Sequence, residues 1–270
     1  MTPGARGDRP RVVATDVDGT LLHSDGTVST FTRDVLHEVR ELGISVILVT
    51  ARPPRWMHGL ADIGVEGVAL CGNGAFTYDL QARRIVDHTL IPAEDLASLI
   101  ADLRDRIPGI RLATEGLEGM AREHAYKGEH LSGDAWQVVD VDGLSTRDVG
   151  KLLVRHEQLE TEELTELVAE VVGERAAVSH SGSTRMTEIG PPGMTKAVAL
   201  AAWCDRQEPP VAPGQVWAFG DMPNDLPMLT WAGRSFAVAN AHDEVLAVAT
   251  DHVPSNDDDG VAQTLERLLP

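Results

Sequence analysis

The stretch that decides the fold is Val12-Val13-Ala14-Thr15-Asp16-Val17-Asp18-Gly19-Thr20. A short apolar, β-branched run ends in a polar loop containing glycine, which reads as a buried strand followed by a turn. Downstream, Phe31, Val35, Val39 and Leu42 fall on one helical face, with Ser29 or Thr30 as cap and Gly43 as stop. Ile44–Val49 is then a continuous β-branched strand, broken at Thr50-Ala51-Arg52-Pro53-Pro54, where the prolines suit the first turn of another helix. Residues 67–71 give a third buried strand, running into Gly72-Asn73-Gly74. Buried strands alternating with helices predict a parallel sheet covered on both faces, with ligands gathered beyond the carboxyl ends of its strands.

From about Asp87 to Thr187 the pattern changes. Helices over Ala93–Ile107 and Thr161–Val172 interleave with strand-like pieces at 110–114, 136–141, 151–156 and 176–179, of mixed polar and apolar type. The first pattern then returns, as a helix over 195–203, a buried strand over 215–219, a strand over 235–239, and helices near Asp243 and Gly260. The expected fold is α/β: a doubly wound, parallel Rossmann-like core from residues 1–86 and 188–270. An inserted α+β domain covers 87–187, entered after the third strand.

Composition narrows the function. The chain has 270 residues, 43% hydrophobic and 24% charged, which is ordinary for a globular protein. A net charge of −19 with 4% aromatic residues excludes a general nucleic-acid surface, because phosphate backbones would be repelled and stacking platforms are scarce. The same charge means that any phosphate site must be locally cationic. The two cysteines, Cys71 and Cys204, lack metal-ligand spacing and read as small buried residues in a reducing compartment. Met1–Pro10 is polar, and no run is long enough to span a membrane, so the expected location is cytoplasmic. The oligomeric state is left open.

Asp16 and Asp18, two apart beyond a strand, would point the same way if both were extended. Such paired carboxylates repel unless a divalent cation sits between them, and magnesium is the hard, oxygen-seeking choice. Thr50 offers a hydroxyl and a backbone N–H at the next strand end. Lys196 is one of only three lysines, with Lys127 and Lys151, among 23 basic residues, and it stands at an expected helix start, where N–H groups also attract anions. Asp221, Asn224 and Asp225 follow another buried strand. Each group has a plainer reading: an Asx-turn, a solvated lysine, a helix N-cap. Together they supply carboxylates, a hydroxyl, an ammonium and a metal ligand on one rim, the set that phosphoryl transfer requires.

Asp16-x-Asp18-Gly19-Thr20, Thr50, Lys196 and Gly220-Asp221-x-x-Asn224-Asp225, in that order, resemble the haloacid dehalogenase-like hydrolases. The insertion, the Asn73-Gly74-Ala75 turn, Ala239-Asn240-Ala241 and Asp259-Gly260-Val261-Ala262 are similar to the Cof-type phosphatase branch, from which Ala51 departs where glycine is usual. The resemblance implies that Asp16 is the nucleophile and Asp18 the general acid–base. It implies that the Asp16 and Asp221 carboxylates and the Asp18 carbonyl hold magnesium. Thr50, the Ala51 N–H, Lys196 and Asn224 would hold the phosphoryl oxygens, with Asp225 in support. It also implies a cap that closes over the leaving group and reads it, with Arg122, His124, Tyr126, His180 and Arg185 as unranked candidates. The expected activity is hydrolysis of a small phosphate monoester, a sugar phosphate or nucleotide-like metabolite, with a phosphomutase as alternative and a non-catalytic binding protein of the same fold behind it. A dehalogenase would need neither Asp18 nor Asp221.

Overall fold

The protein is described here by a computed structural model covering residues 9–60, 67–127 and 136–270. Most of the Met1–Pro10 stretch considered for a leader therefore lies outside the described residues. Among the described residues no helix is long and apolar enough to cross a membrane.

In chain order the elements begin with β1 (Val12–Thr15), α1 (Thr30–Glu41), β2 (Ser45–Val49), α2 (Met57–Leu60), β3 (Val68–Cys71), β4 (Phe76–Asp79) and β5 (Arg84–His88). There follow α3 (Ala93–Arg106), β6 (Arg111–Gly116), β7 (Gly119–Glu123), β8 (Trp136–Val139), α4 (Val141–Leu144), β9 (Lys151–Arg155), α5 (Thr161–Val172), β10 (Ala177–Ser179) and β11 (Met186–Gly190). The chain closes with α6 (Lys196–Asp205), β12 (Val216–Gly220), α7 (Leu226–Trp231), β13 (Arg234–Val238), α8 (Asp243–Val248), β14 (Asp251–Val253) and α9 (Gly260–Leu265).

Two compact units emerge, Met1–Arg84 with Thr195–Pro270, and Ile85–Met194. In the first, the sheet runs β14-β13-β12-β1-β2-β3-β4, parallel from β14 to β3. All four residues of β1 are buried, as a central parallel strand demands. Ser29 caps α1 by accepting from the Thr32 N–H, and Val35, Leu36 and Val39 turn inward.

Two expectations are corrected here. The excursion does not leave after the third strand: Gly72, Asn73 and Gly74, all at positive φ, turn the chain back as β4, antiparallel on β3, and β5 follows. The seams fall at Arg84/Ile85 and Met194/Thr195 rather than 86/87 and 187/188, because Met186–Gly190 is strand β11, paired antiparallel with β9.

The second unit is a sheet ordered β10-β11-β9-β6-β7-β8, antiparallel except between β7 and β8. One face packs α3 and α5 through Leu99, Leu103, Leu164 and Val168 against Leu112, Leu152 and Val154. By strand alternation, Ala113 and Leu153 point to the other face, where they join Met120, Tyr126 and Met186 in a smaller cluster.

Candidate active site

The Asp16 N–H donates to the Phe219 carbonyl at 3.0 Å, fixing the nucleophile candidate where β1 and β12 end side by side. Two residues on, Gly19 adopts φ 72°, and a Cβ there would collide with the Asp221 carboxylate; glycine is what lets the loop pass. Thr20 Oγ1 then donates to Asp221 Oδ1 at 2.8 Å.

Lys196 opens α6, whose cap Thr195 accepts from the Val198 N–H at 3.2 Å. The lysine side chain is 1% exposed and donates inward, to Asp16 Oδ1 at 2.5 Å and Asp225 Oδ1 at 2.6 Å. The other Asp225 oxygen accepts the Asp221 and Met222 N–H groups at 3.1 Å each. Gly220 leaves room for this, since a Cβ on it would stand 2.6 Å from the Asp225 Cβ. The sequence positions Asp16, Lys196, Asp221 and Asp225 thus come together in one buried knot.

Asp18 has a partner of its own. β1 ends at Thr15, so Asp16 and Asp18 both lie past the strand and strand alternation does not set where their side chains point. The Asp18 side chain, 58% exposed, is gripped by Arg52, Nε to Oδ2 at 2.6 Å and an NH2 donor to Oδ1 at 2.5 Å. The Thr50 backbone N–H, expected as a phosphate donor, is used on the Leu70 carbonyl at 2.8 Å, while its hydroxyl oxygen accepts from the Arg52 N–H at 3.0 Å. Ala51 lies between them in the same loop. Asn224 Nδ2 donates to Asn73 Oδ1 at 3.1 Å, and its own Oδ1 is buried without a protein partner.

Burial pushes the Asp16 carboxyl well above the usual carboxylate range, against the pull of Lys196. Burial also raises Asp221 to about 6, reinforced by Asp225 and eased by the Thr20 hydrogen bond. On Lys196 burial works against the charge, but Asp16 and Asp225 more than offset it and hold the ammonium above its ordinary value. Three carboxylates whose oxygens lie within 4.8 Å therefore share one ammonium, an arrangement short of positive charge. Both Asp225 oxygens are already committed, to Lys196 and to two N–H groups. That leaves Asp16 and Asp221 as the carboxylates suited to a divalent cation, and their hard oxygens fit magnesium.

Residues beyond these positions shape the site. Arg52 was read in the sequence only as part of a helix-entry break. Asn240 Nδ2 donates to the Gly19 carbonyl at 2.7 Å, its Oδ1 accepts the Asn256 N–H at 3.0 Å, and Asn256 Nδ2 reaches the Leu22 carbonyl at 2.8 Å. The His242 N–H holds the Asp221 carbonyl at 2.8 Å. The sequence signal for this bracing was asparagine within the loops that follow strands.

Among the candidate readers in the second unit, Tyr126 is fully buried, its hydroxyl on Met186 Sδ at 3.5 Å, and is a core residue. Arg122 is tied to the carbonyls of Glu123, His124 and Tyr126, and Arg185 to Glu160 and the Glu157 carbonyl. His124 is exposed, while His180 buries an Nδ1 that has no partner. The unit has a cavity of about 720 Å³, lined in part by His88, Thr114, Glu118, Gln137 and Arg147, and none of these five candidates borders it.

A family model described as haloacid dehalogenase-like hydrolase matches residues 13–265. The chain is 30% identical to 5-amino-6-(5-phospho-D-ribitylamino)uracil phosphatase YitU of Bacillus subtilis (strain 168), over 97% of this chain and 98% of that one. It is 27% identical to pyridoxal phosphate phosphatase YbhA of Escherichia coli (strain K12), covering 94% and 96%. It is also 27% identical to an HMP-PP phosphatase of Klebsiella pneumoniae (strain 342), covering 88% and 87%. Its fold matches a crystal structure of a Streptococcus mutans UA159 protein at TM-score 0.84 and 23% identity, covering 96% and 98%. A haloacid dehalogenase-like hydrolase from Bacteroides thetaiotaomicron superposes at TM-score 0.78 and 24% identity, covering 97% and 100%.

Proposed function

Because the chain belongs to the haloacid dehalogenase-like hydrolases, in their Cof-type phosphatase branch, we propose that it is a magnesium-dependent phosphatase working through an aspartyl-phosphate on Asp16. The observation that carries this reading is Lys196, buried and bonded to Asp16 and Asp225 beside Asp221. A lysine so placed holds the nucleophile in one orientation and meets an incoming dianion with positive charge.

In the first half-reaction an Asp16 oxygen attacks phosphorus as the ester P–O bond breaks, and Asp18 delivers its proton to the leaving oxygen, which departs as an alcohol. In the second, Asp18 takes a proton from water, the water oxygen attacks phosphorus, and the bond to Asp16 breaks to release phosphate. Thr50 Oγ1, the Ala51 N–H, Asn224 and Lys196 position the phosphoryl oxygens, and Asp225 orients Lys196. Magnesium, held by the Asp16 and Asp221 carboxylates and the Asp18 carbonyl, would neutralise charge on the transferring group.

The substrate is a small phosphate monoester, a sugar phosphate or a nucleotide-like metabolite. The named relatives support the small phosphorylated metabolite, and their differing substrates keep the leaving group open. Wild-type protein should release phosphate from simple esters only with magnesium and form a hydroxylamine-sensitive phosphoprotein. Asp16→Asn should do neither. Turnover that survives thorough chelation, or phosphate incorporated into Asp16→Asn, overturns the reading.

A further inference from the structure

We infer that Arg52 is a positioning residue for the proton-transferring carboxylate, an inference that rests on the role proposed for Asp18. Asp18 follows β1 by three residues, stands in a turn, and its side chain is 58% exposed. A carboxylate so exposed would sample several rotamers in water, yet proton transfer demands one. Arg52 supplies the constraint. Its planar fork takes both oxygens of Asp18, Nε on Oδ2 and an NH2 donor on Oδ1, at 2.6 and 2.5 Å. A bidentate guanidinium fixes direction as well as distance, which an ammonium cannot do.

The fork is anchored in turn. The Arg52 side chain is 20% exposed, its N–H donates to Thr50 Oγ1 at 3.0 Å, and its carbonyl accepts the Gly72 N–H at 2.9 Å. The Thr50 carbonyl accepts the Asn73 N–H at 3.0 Å. The loops after β2 and β3 are thereby stitched together, and Arg52 projects from that stitched base onto Asp18. When Asp18 carries its proton, the oxygen without it can still accept from Arg52, so one of the two hydrogen bonds is kept through both half-reactions.

The test uses two esters. p-Nitrophenyl phosphate has a leaving group stable as an anion, whereas a simple alkyl phosphate needs the proton from Asp18. In Arg52→Ala, kcat/KM for the alkyl phosphate should fall roughly 10- to 100-fold, with a much smaller loss for p-nitrophenyl phosphate. Arg52→Lys, which keeps charge but not the fork, should recover little, while added guanidinium should partly rescue Arg52→Ala. In an Asp18→Asn background, removing Arg52 should cost less than about twofold, because both changes act on one step. Equal losses on both esters with kcat preserved would show that Arg52 grips the substrate. An undiminished Arg52 effect in the Asp18→Asn background would show that it acts without Asp18. Either result overturns the inference. Full activity in Asp18→Asn itself would instead remove the role of Asp18, a separate outcome.

Discussion

Lys196 is a residue whose chemistry follows from its size. A compact ammonium fits between Asp16 and Asp225, and the wide planar guanidinium of arginine would crowd the same space. Lys196→Arg would keep the charge but displace Asp16, the proposed nucleophile, or the phosphoryl group it is proposed to receive, and errors near 1 Å cost on the order of a hundredfold. The expected result is at least roughly tenfold lower turnover of one phosphate ester in a folded protein. Lys127 is exposed, and its exchange for arginine should be silent. Lys151 differs from it: it stands in β9, is 5% exposed and pairs with Glu188 at 3.0 Å. Arginine there should lower the melting temperature without touching the chemistry, since a wider guanidinium must be fitted into a buried site packed around an ammonium. Two of three lysines are thus buried against carboxylates, the expected pattern in a chain that otherwise favours arginine. Wild-type turnover in Lys196→Arg would mean that the contact with Asp16 is incidental.

At the scale of elements, the site is made by four strand ends, and glycine sets how closely their loops approach. Gly19 is the sharpest case. Its positive φ costs any other residue about 1 kcal/mol, and its Cβ would strike the Asp221 carboxylate. Gly19→Ala should therefore raise the magnesium concentration needed for half-maximal activity at least several-fold, with a smaller effect on melting temperature. An unchanged magnesium requirement would show that the loop yields instead. Legibility in the sequence divides along the same lines. β1, β2, β3 and β12 were readable because buried parallel strands are continuous apolar runs. β11 was not, for Met-Thr-Glu-Ile-Gly buries Thr187 and Glu188, and Glu188 is satisfied by Lys151 and Ser181, which no apolar period can signal. β5 carries an exposed, polar pattern and β4 follows a turn made by Asn73 at φ 57°, so both looked like loop. Asp16, Asp221 and Asp225 stood out because each lies where an apolar run breaks, and Lys196 because lysine is scarce in the chain and this one opens a helix. Arg52 did not, because its partner, 34 residues away, is set by how two loops fold over one rim.

For the whole molecule, a chain of net charge −19 buries three of its carboxylates together, acid beside acid, with Lys196 between two of them. Asp221 titrates near 6 in the folded protein against 3.8 for the free side chain, chiefly through burial, and Asp16 is displaced in the same direction. Between 3.8 and about 6 the folded state accordingly binds more protons than the unfolded chain, so stability falls as pH rises through that window and stays low above it. A divalent cation held there would reverse this, because it would bind the ionised carboxylates of the folded state and stabilise by mass action. Magnesium should therefore raise the melting temperature more at pH 8 than at pH 5, where protons compete for the same oxygens. Asp221→Asn separates this from general attraction of cations to an acidic surface. The metal-free variant should melt higher than wild type at pH 8 and show little of the magnesium increment. Equal magnesium shifts at the two pH values, or a full shift in Asp221→Asn, would place the cation's effect on the surface and detach it from the buried carboxylates.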